Sequence, residues 1–153
     1  PYYISQQTDS ACSVATATMI INAARKDWIL ESSERLATQS HVLSRTNDKA
    51  WIDGTKQGGS GYGLSSLGKA LEAYGVKKYS IEMIATNDES ELNYQRLIQN
   101  LRENELSGSD FIAINFVQGI ATGNVLVGHW GVIGAFDESR DRVLILDPDR
   151  EWY

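Results

Sequence analysis

Cysteine is almost absent from this chain of 153 residues: Cys12 stands alone. A disulfide framework within the chain is thereby excluded, and so is a zinc site built from several cysteines. Histidine is nearly as scarce, with only His41 and His129. A mechanism coupling thiol to imidazole then has one nucleophile and two bases to choose from. No apolar run approaches the ~20 residues that a membrane-spanning helix needs. No basic stripe alternates with aromatics, so the electrostatic footprint of a nucleic-acid binder is missing. The net charge of −6 favours solubility and names no partner. Neither an initiator Met nor a signal-like segment stands before Pro1, which reads as a processed or trimmed product.

What is present suits a soluble globular domain. Hydrophobic residues make up 42% and charged residues 22%, and the length fits one domain over 1–153. No repeat or linker divides it. From Asp9 to about Lys26 the pattern predicts a helix that Asp9 or Ser10 caps. Ala15, Ala17, Met19, Ile20, Ala23 and Ala24 make it apolar nearly all round, as a central buried helix is. The stretch from Trp28 to Gly63 reads as less regular, with a short helix near Glu31–Thr38, and ends in the flexible-looking Gly58-Gly59-Ser60-Gly61-Tyr62-Gly63. Leu64, Leu67, Leu71 and Tyr74 recur at helical spacing, and Gly75 supplies the stop. Residues 79–85 read as a strand. Glu89 to about Asn104 reads as an amphipathic helix with Tyr94, Leu97, Ile98 and Leu101 turned inward. Phe111–Val117, Gly128–Asp137 and Arg142–Asp147 are β-rich, the last two joined by a hairpin turn over Glu138-Ser139-Arg140-Asp141. Helices first and an antiparallel sheet last make an α+β architecture.

Cys12 falls in the first turn of the predicted central helix, where free N–H groups and the helix dipole favour a thiolate. A free thiol of pKa ~8.5 is only a few per cent ionised at neutral pH. Taken alone, a free cysteine is more often a small buried hydrophobe. His129 opens a predicted strand in Gly128-His129-Trp130-Gly131, where glycine on either side leaves room for a substrate backbone or a second chain. Asp147 ends the next strand. Pairing the two strands brings both residues to one end of the hairpin, where the carboxylate can fix the imidazole tautomer and leave the other nitrogen to the thiol. Gln6, six residues before Cys12, can donate its side-chain N–H to an oxyanion together with the Cys12 backbone N–H. Gln7 is the near alternative.

In this order and setting, Gln6, Cys12, His129 and Asp147 resemble the papain-like cysteine enzymes, and most closely the phytochelatin synthase family in its short bacterial forms. Three stretches carry the resemblance: Tyr2-Tyr3-Ile4-Ser5-Gln6 through Ala15, Tyr62-Gly63-Leu64 through Lys77, and Phe111 through Gly128-His129 to Asp147-Pro148-Asp149-Arg150. The resemblance implies a papain-like fold with Cys12 as nucleophile, His129 as general base and acid, Asp147 as orienting acid, and Gln6 with Cys12 as oxyanion hole. It implies attack on the Cys–Gly amide of glutathione, release of glycine, and a γ-Glu-Cys acyl-enzyme resolved by water or by a second glutathione. The second route makes phytochelatin, a peptide of metal detoxification. No cofactor is required on this reading, a divalent heavy metal entering only as a metal–thiolate complex of the substrate. Glutathione is the partner implied, with no nucleic acid and no membrane. The oligomeric state stays open, a homodimer being one option, and the compartment is cytoplasmic or, after processing, periplasmic. Trp130, Gly128 and Arg150 are expected to border the substrate.

The sequence departs from the family pattern at Ser13, where glycine is usual, at Trp130-Gly131-Val132, and at Pro148-Asp149. It also stops at Tyr153, which reads as a domain trimmed relative to the family's. A second resemblance is to the peptidase domains of bacteriocin-exporting transporters, which cut after Gly-Gly leaders and share the Asp-Pro pair. An inactive homologue used for binding is the third option. Other signals carry less. The glycine loop at 58–63 lacks the strand and the Lys-Ser/Thr of a phosphate-binding loop. His41 with Asp48 or Asp53 makes no ligand set. Asp137, Glu138 and Asp141 match no calcium-loop spacing.

Overall fold

The computed structural model describes residues 2–30, 36–61, 63–76, 91–123 and 126–151. Its centre is α1 (Cys12–Ala24), in which every side chain from Cys12 to Asn22 is buried. Small residues (Ala15, Ala17) and Ser or Thr make that possible by letting neighbours pack closely against all sides. Thr18 hides its hydroxyl by donating to Val14 O at 2.7 Å, the usual helical back-bond. The expected cap is corrected: the helix begins with Ala11 at the N-cap position, without a side-chain cap. Asp9 and Ser10 are occupied elsewhere. The Asp9 carboxylate accepts from Gly58 N and Gln57 Nε2, and Ser10 Oγ donates to Gly59 O.

The segment read as irregular holds two helices. Thr38, extended at φ −107 and ψ 163, accepts from His41 N and starts α2 (Gln39–Thr46). Asn47 ends it in the left-handed region, and Asp48 at once accepts from Trp51 N to start α3 (Lys49–Gly54). Of the short helix expected over 31–38, residues 31–35 lie outside the described residues and 36–38 are not helical. The predicted strand at 79–85 also lies outside them.

Helix α4 (Leu64–Ala73) follows its apolar spacing, and Gly75 ends it at φ +77 while Val76 N donates back to Leu71 O. Helix α5 spans Glu91–Ser107. Its inward stripe is narrower than expected: Ile98 and Leu101 are buried, whereas Tyr94 and Leu97 are 48% and 39% exposed. The helix packs on one sheet face only, against Ile133 and Phe136, so two positions per pair of turns suffice.

The sheet is antiparallel in the order β1-β2-β3, with β1 at Ala113–Val117, β2 at Gly128–Asp137 and β3 at Arg142–Leu146. A short helix α6 (Gln118–Thr122) joins β1 to the approach of β2. The β2–β3 turn is a single 3-10 turn over Glu138–Arg140, closed by Asp141 at φ +51. The fold is α+β, helices leading and sheet following, as a papain-like fold requires. The main core gathers Val14, Ile21, Val42, Trp51, Leu71 and Val132, so it ties α1 to α2, α3, α4 and β2.

Candidate active site

Cys12 is the first residue of α1, in the turn whose N–H groups have no intrahelical acceptor. His129 is the second residue of β2, and Asp147 directly follows β3. The register sets their meeting: Val132 faces Leu146 across the hairpin, so the chain after β3 runs back alongside His129. His129 Nε2 lies 2.6 Å from Asp147 Oδ1. The side chain of Cys12 also acts on the ring. Cys12 is 7% exposed, His129 4% and Asp147 7%, so the three sit in a nearly closed setting.

Burial is the largest single influence on His129 and pulls its pKa down. The interactions with Asp147 and Cys12 outweigh it and raise the pKa from 6.5 to about 9. The imidazolium is thus the stable form at neutral pH. The ring is steadied further by Phe116, its cross-strand partner, which meets it edge-on at 5.6 Å and 88°.

Asp147 is itself held. Its Oδ1 also accepts from Asp149 N at 2.8 Å, and its backbone oxygen accepts from Tyr3 Oη at 2.8 Å. Gln6 N donates to Pro148 O at 2.9 Å, so the N-terminal segment lies along the Asp147-Pro148 turn. The side-chain oxygen of Gln6 is buried and makes no hydrogen bond, so no structural partner claims it. Gln6 also lines a cleft of about 560 Å³ with Tyr3, Ile4, Ser5, Gln7, Gln39 and Arg150. Cys12 and His129 are not in its wall.

The remaining expected residues divide. Gly128 is open, with Asn115 the nearest neighbour at 3.8 Å from a Cβ built there. At Gly131 the second chain that glycine admits is β3: a Cβ would lie 2.9 Å from Ile145 Cγ2. Trp130 is 5% exposed and shares a strand face with Val132 of the main core, which makes it a wall of the domain. Arg150 reaches the cleft.

Several residues have supporting roles that the sequence did not indicate. Ser13 Oγ accepts from Trp51 Nε1 at 2.9 Å in the interior. Gln39 and Asn22 hold irregular backbone from inside the core. A buried amide has no periodic signature; only the Trp51 indole, which needs an acceptor wherever it is buried, offered a hint. The glycine loop expected to be flexible is tied to the segment before Cys12 by Asp9 and Ser10, and Thr8 Oγ1 donates to Thr55 O, at the end of α3, at 2.6 Å. His41 lies on the exposed side of α2. Asp53 pairs with Lys49 and Lys56, Asp48 caps α3, and Asp137 caps its own turn. Among the described residues no three His, Cys, Asp or Glu side chains gather to hold a metal ion, and no helix is long and apolar enough to cross a membrane.

A thiol at a helix start, facing an imidazole and carboxylate delivered by an antiparallel sheet, is the arrangement of the papain-like cysteine enzymes. Within that class the chain belongs to the phytochelatin synthase family, whose model, described as "Phytochelatin synthase", matches residues 1–153, the whole length. The family's chemistry is glutathione-dependent acyl transfer. A search of curated proteins gives no match.

Proposed function

We propose that this chain transfers the γ-Glu-Cys acyl group of glutathione through a thioester on Cys12. The Cys12 sulfur attacks the carbonyl carbon of the Cys–Gly amide. Negative charge moves to the carbonyl oxygen, which the Gln6 side-chain N–H and the Cys12 backbone N–H receive. The His129 imidazolium gives its proton to the glycine nitrogen, the C–N bond breaks, and glycine leaves. His129, now neutral, removes a proton from water or from the amino group of a second glutathione. That nucleophile attacks the thioester and the sulfur departs as thiolate, yielding γ-Glu-Cys or phytochelatin. Asp147 holds the ring and balances its charge throughout. The chemistry calls for no resident cofactor; a divalent heavy metal takes part as substrate, bound to glutathione thiolate.

The observation that carries this reading is His129 bonded to Asp147 at 2.6 Å, with Asp147 and Cys12 together raising its pKa to about 9. Intact-mass spectrometry after mixing with glutathione tests it. The expected result is a gain of one γ-Glu-Cys unit on the native protein and none on Cys12→Ala, which also releases no glycine. Undiminished glycine release by Cys12→Ala ends the proposal. The Asp147-Pro148 pair favours one second reading, a peptidase that cuts after Gly-Gly. Parallel incubation with a Gly-Gly peptide and with glutathione separates the two by which substrate is cleaved. Rapid alkylation of Cys12 at mildly acid pH argues against an inactive binding homologue, because an ordinary thiol is protonated there.

A further inference from the structure

The stretch Ser5–Gln7 belongs to no helix or strand, so no ladder supplies its backbone with partners. One buried side chain does so from both sides. Gln39 Nε2 donates to Ser5 O at 2.8 Å, and Gln39 Oε1 accepts from Gln7 N at 3.3 Å. Between them, Gln6 N donates to Pro148 O. Gln39 is 3% exposed and is the first residue of α2, directly after the Thr38 cap. Two residues earlier, Ala37 is gripped at both backbone groups by Asn22: N to Oδ1 at 2.8 Å and O to Nδ2 at 3.0 Å. Asn22 lies on α1, the helix that begins with Cys12. A run of buried amide contacts therefore links α1 through Asn22, Ala37 and Gln39 to the backbone on each side of Gln6.

We propose that Gln39 is a positioning residue for the Gln6 amide. This rests on the reading of Gln6 as an oxyanion donor. An oxyanion donor must stand 2.7–3.1 Å from where the charge develops, and losing one costs ~10²–10³ in rate. A displacement of ~1 Å can cost ~10². A loop without regular structure cannot meet that tolerance by itself. Gln39 meets it by fixing the carbonyl before Gln6 and the N–H after it, both referenced to the helix that carries the nucleophile. Gln39 touches no reacting atom; it acts through Gln6.

The signature is a rate effect that disappears when Gln6 has nothing to donate. Gln39→Met keeps the length and loses both hydrogen bonds. It is compared with Gln6→Ala and with the double variant, by glycine release from glutathione. The expected result is a fall in kcat of about 10-fold or more for Gln39→Met with KM within about 2-fold, and a further loss below about 2-fold when Gln39→Met is added to Gln6→Ala. The alkylation rate of Cys12 stays within about 2-fold of the native rate, because forming the thiolate does not use the oxyanion hole. Where Gln39→Met does not fold, Gln39→Glu, which keeps the acceptor and loses the donor, takes its place in the same comparison. Equal losses with and without Gln6, an unchanged kcat, or alkylation slowed in step with turnover each overturn the inference. Gln6→Ala at the native rate overturns the oxyanion reading itself. A slow Gln6→Ala with additive losses overturns only the role of Gln39.

Discussion

The indole N–H of Trp51 donates to the hydroxyl of Ser13 at 2.9 Å, and neither group meets solvent. Ser13 follows the proposed nucleophile at a position where the family usually has glycine. The hydroxyl is therefore spent on the core: it satisfies the one polar atom of the largest fully buried side chain among the described residues. It also pins the first turn of α1 to α3.

Ser13→Ala leaves that indole N–H without a partner in the interior. A loss of about 1–3 kcal/mol is expected, read as a lower urea midpoint at unchanged slope. Trp51→Phe combined with Ser13→Ala should cost less than the sum of the two single changes, since both remove the same bond. Additive losses contradict the coupling.

Asp147→Asn probes the charge apart from the geometry. Oδ1 of Asp147 accepts from both His129 and Asp149. An asparagine carbonyl can keep both bonds, so the tautomer is preserved and the charge alone is lost. The expected fall in kcat is smaller than the ~10⁴-fold seen where the same change imposes the wrong tautomer. With Asp147 neutral, burial is opposed by Cys12 alone and the His129 pKa drops. The alkaline limb of the kcat/KM profile, expected near pH 9 in the native protein, then moves to lower pH. A limb that stays in place in Asp147→Asn refutes this assignment.

Stability should follow the same proton. The folded pKa of His129, about 9, lies above its ordinary 6.5, so folding favours the protonated ring. The contribution is full below about pH 6.5 and is lost as pH rises to about 9. It is shared with Asp147 and Cys12, the groups that raise the pKa. Urea midpoints measured across that window for the native protein and His129→Gln should converge as pH rises. Parallel curves would show that the ring carries no such proton.

Gly59 is a packing requirement. A Cβ there would lie 2.2 Å from the backbone oxygen of Gly54, whereas at Gly63 it would meet nothing within 4 Å. Gly59→Ala should cost about 1–3 kcal/mol and Gly63→Ala less than about 0.5. Because Gly59 O holds Ser10 two residues before Cys12, Gly59→Ala should also slow turnover. Thermal melts and glycine release measured on both variants check the pair.

The parts legible in the sequence were those with a period or a forced stop. Strand β2 spans its β-rich run end to end, and Gly75 ended α4 where only a left-handed residue could. His129 and Asp147 could be brought to one end of the hairpin because its turn fixes which strands pair, although a register shift between Ile133 and Ala135 moves that end by one residue. The start of α1 was misread because Asp9 and Ser10 carry the chemistry of caps, yet a distant loop claims them. Helices α2 and α3 were missed although Thr38 and Asp48 announce them: each is too short to show an apolar period. The stripe on α5 was drawn too wide because spacing alone does not say how much surface the partner covers. The links from Gln39 and Asn22 to irregular backbone span the fold and leave no local trace.

The thiol belongs to a helix near the start of the chain, while the ring and carboxylate that would arm it arrive on the last hairpin. During synthesis the sulfur leaves the ribosome long before either partner exists. Until the sheet docks, no imidazole or carboxylate of the hairpin stands beside it. A chain that ends before β2 therefore carries the sulfur without the residues that would act on it.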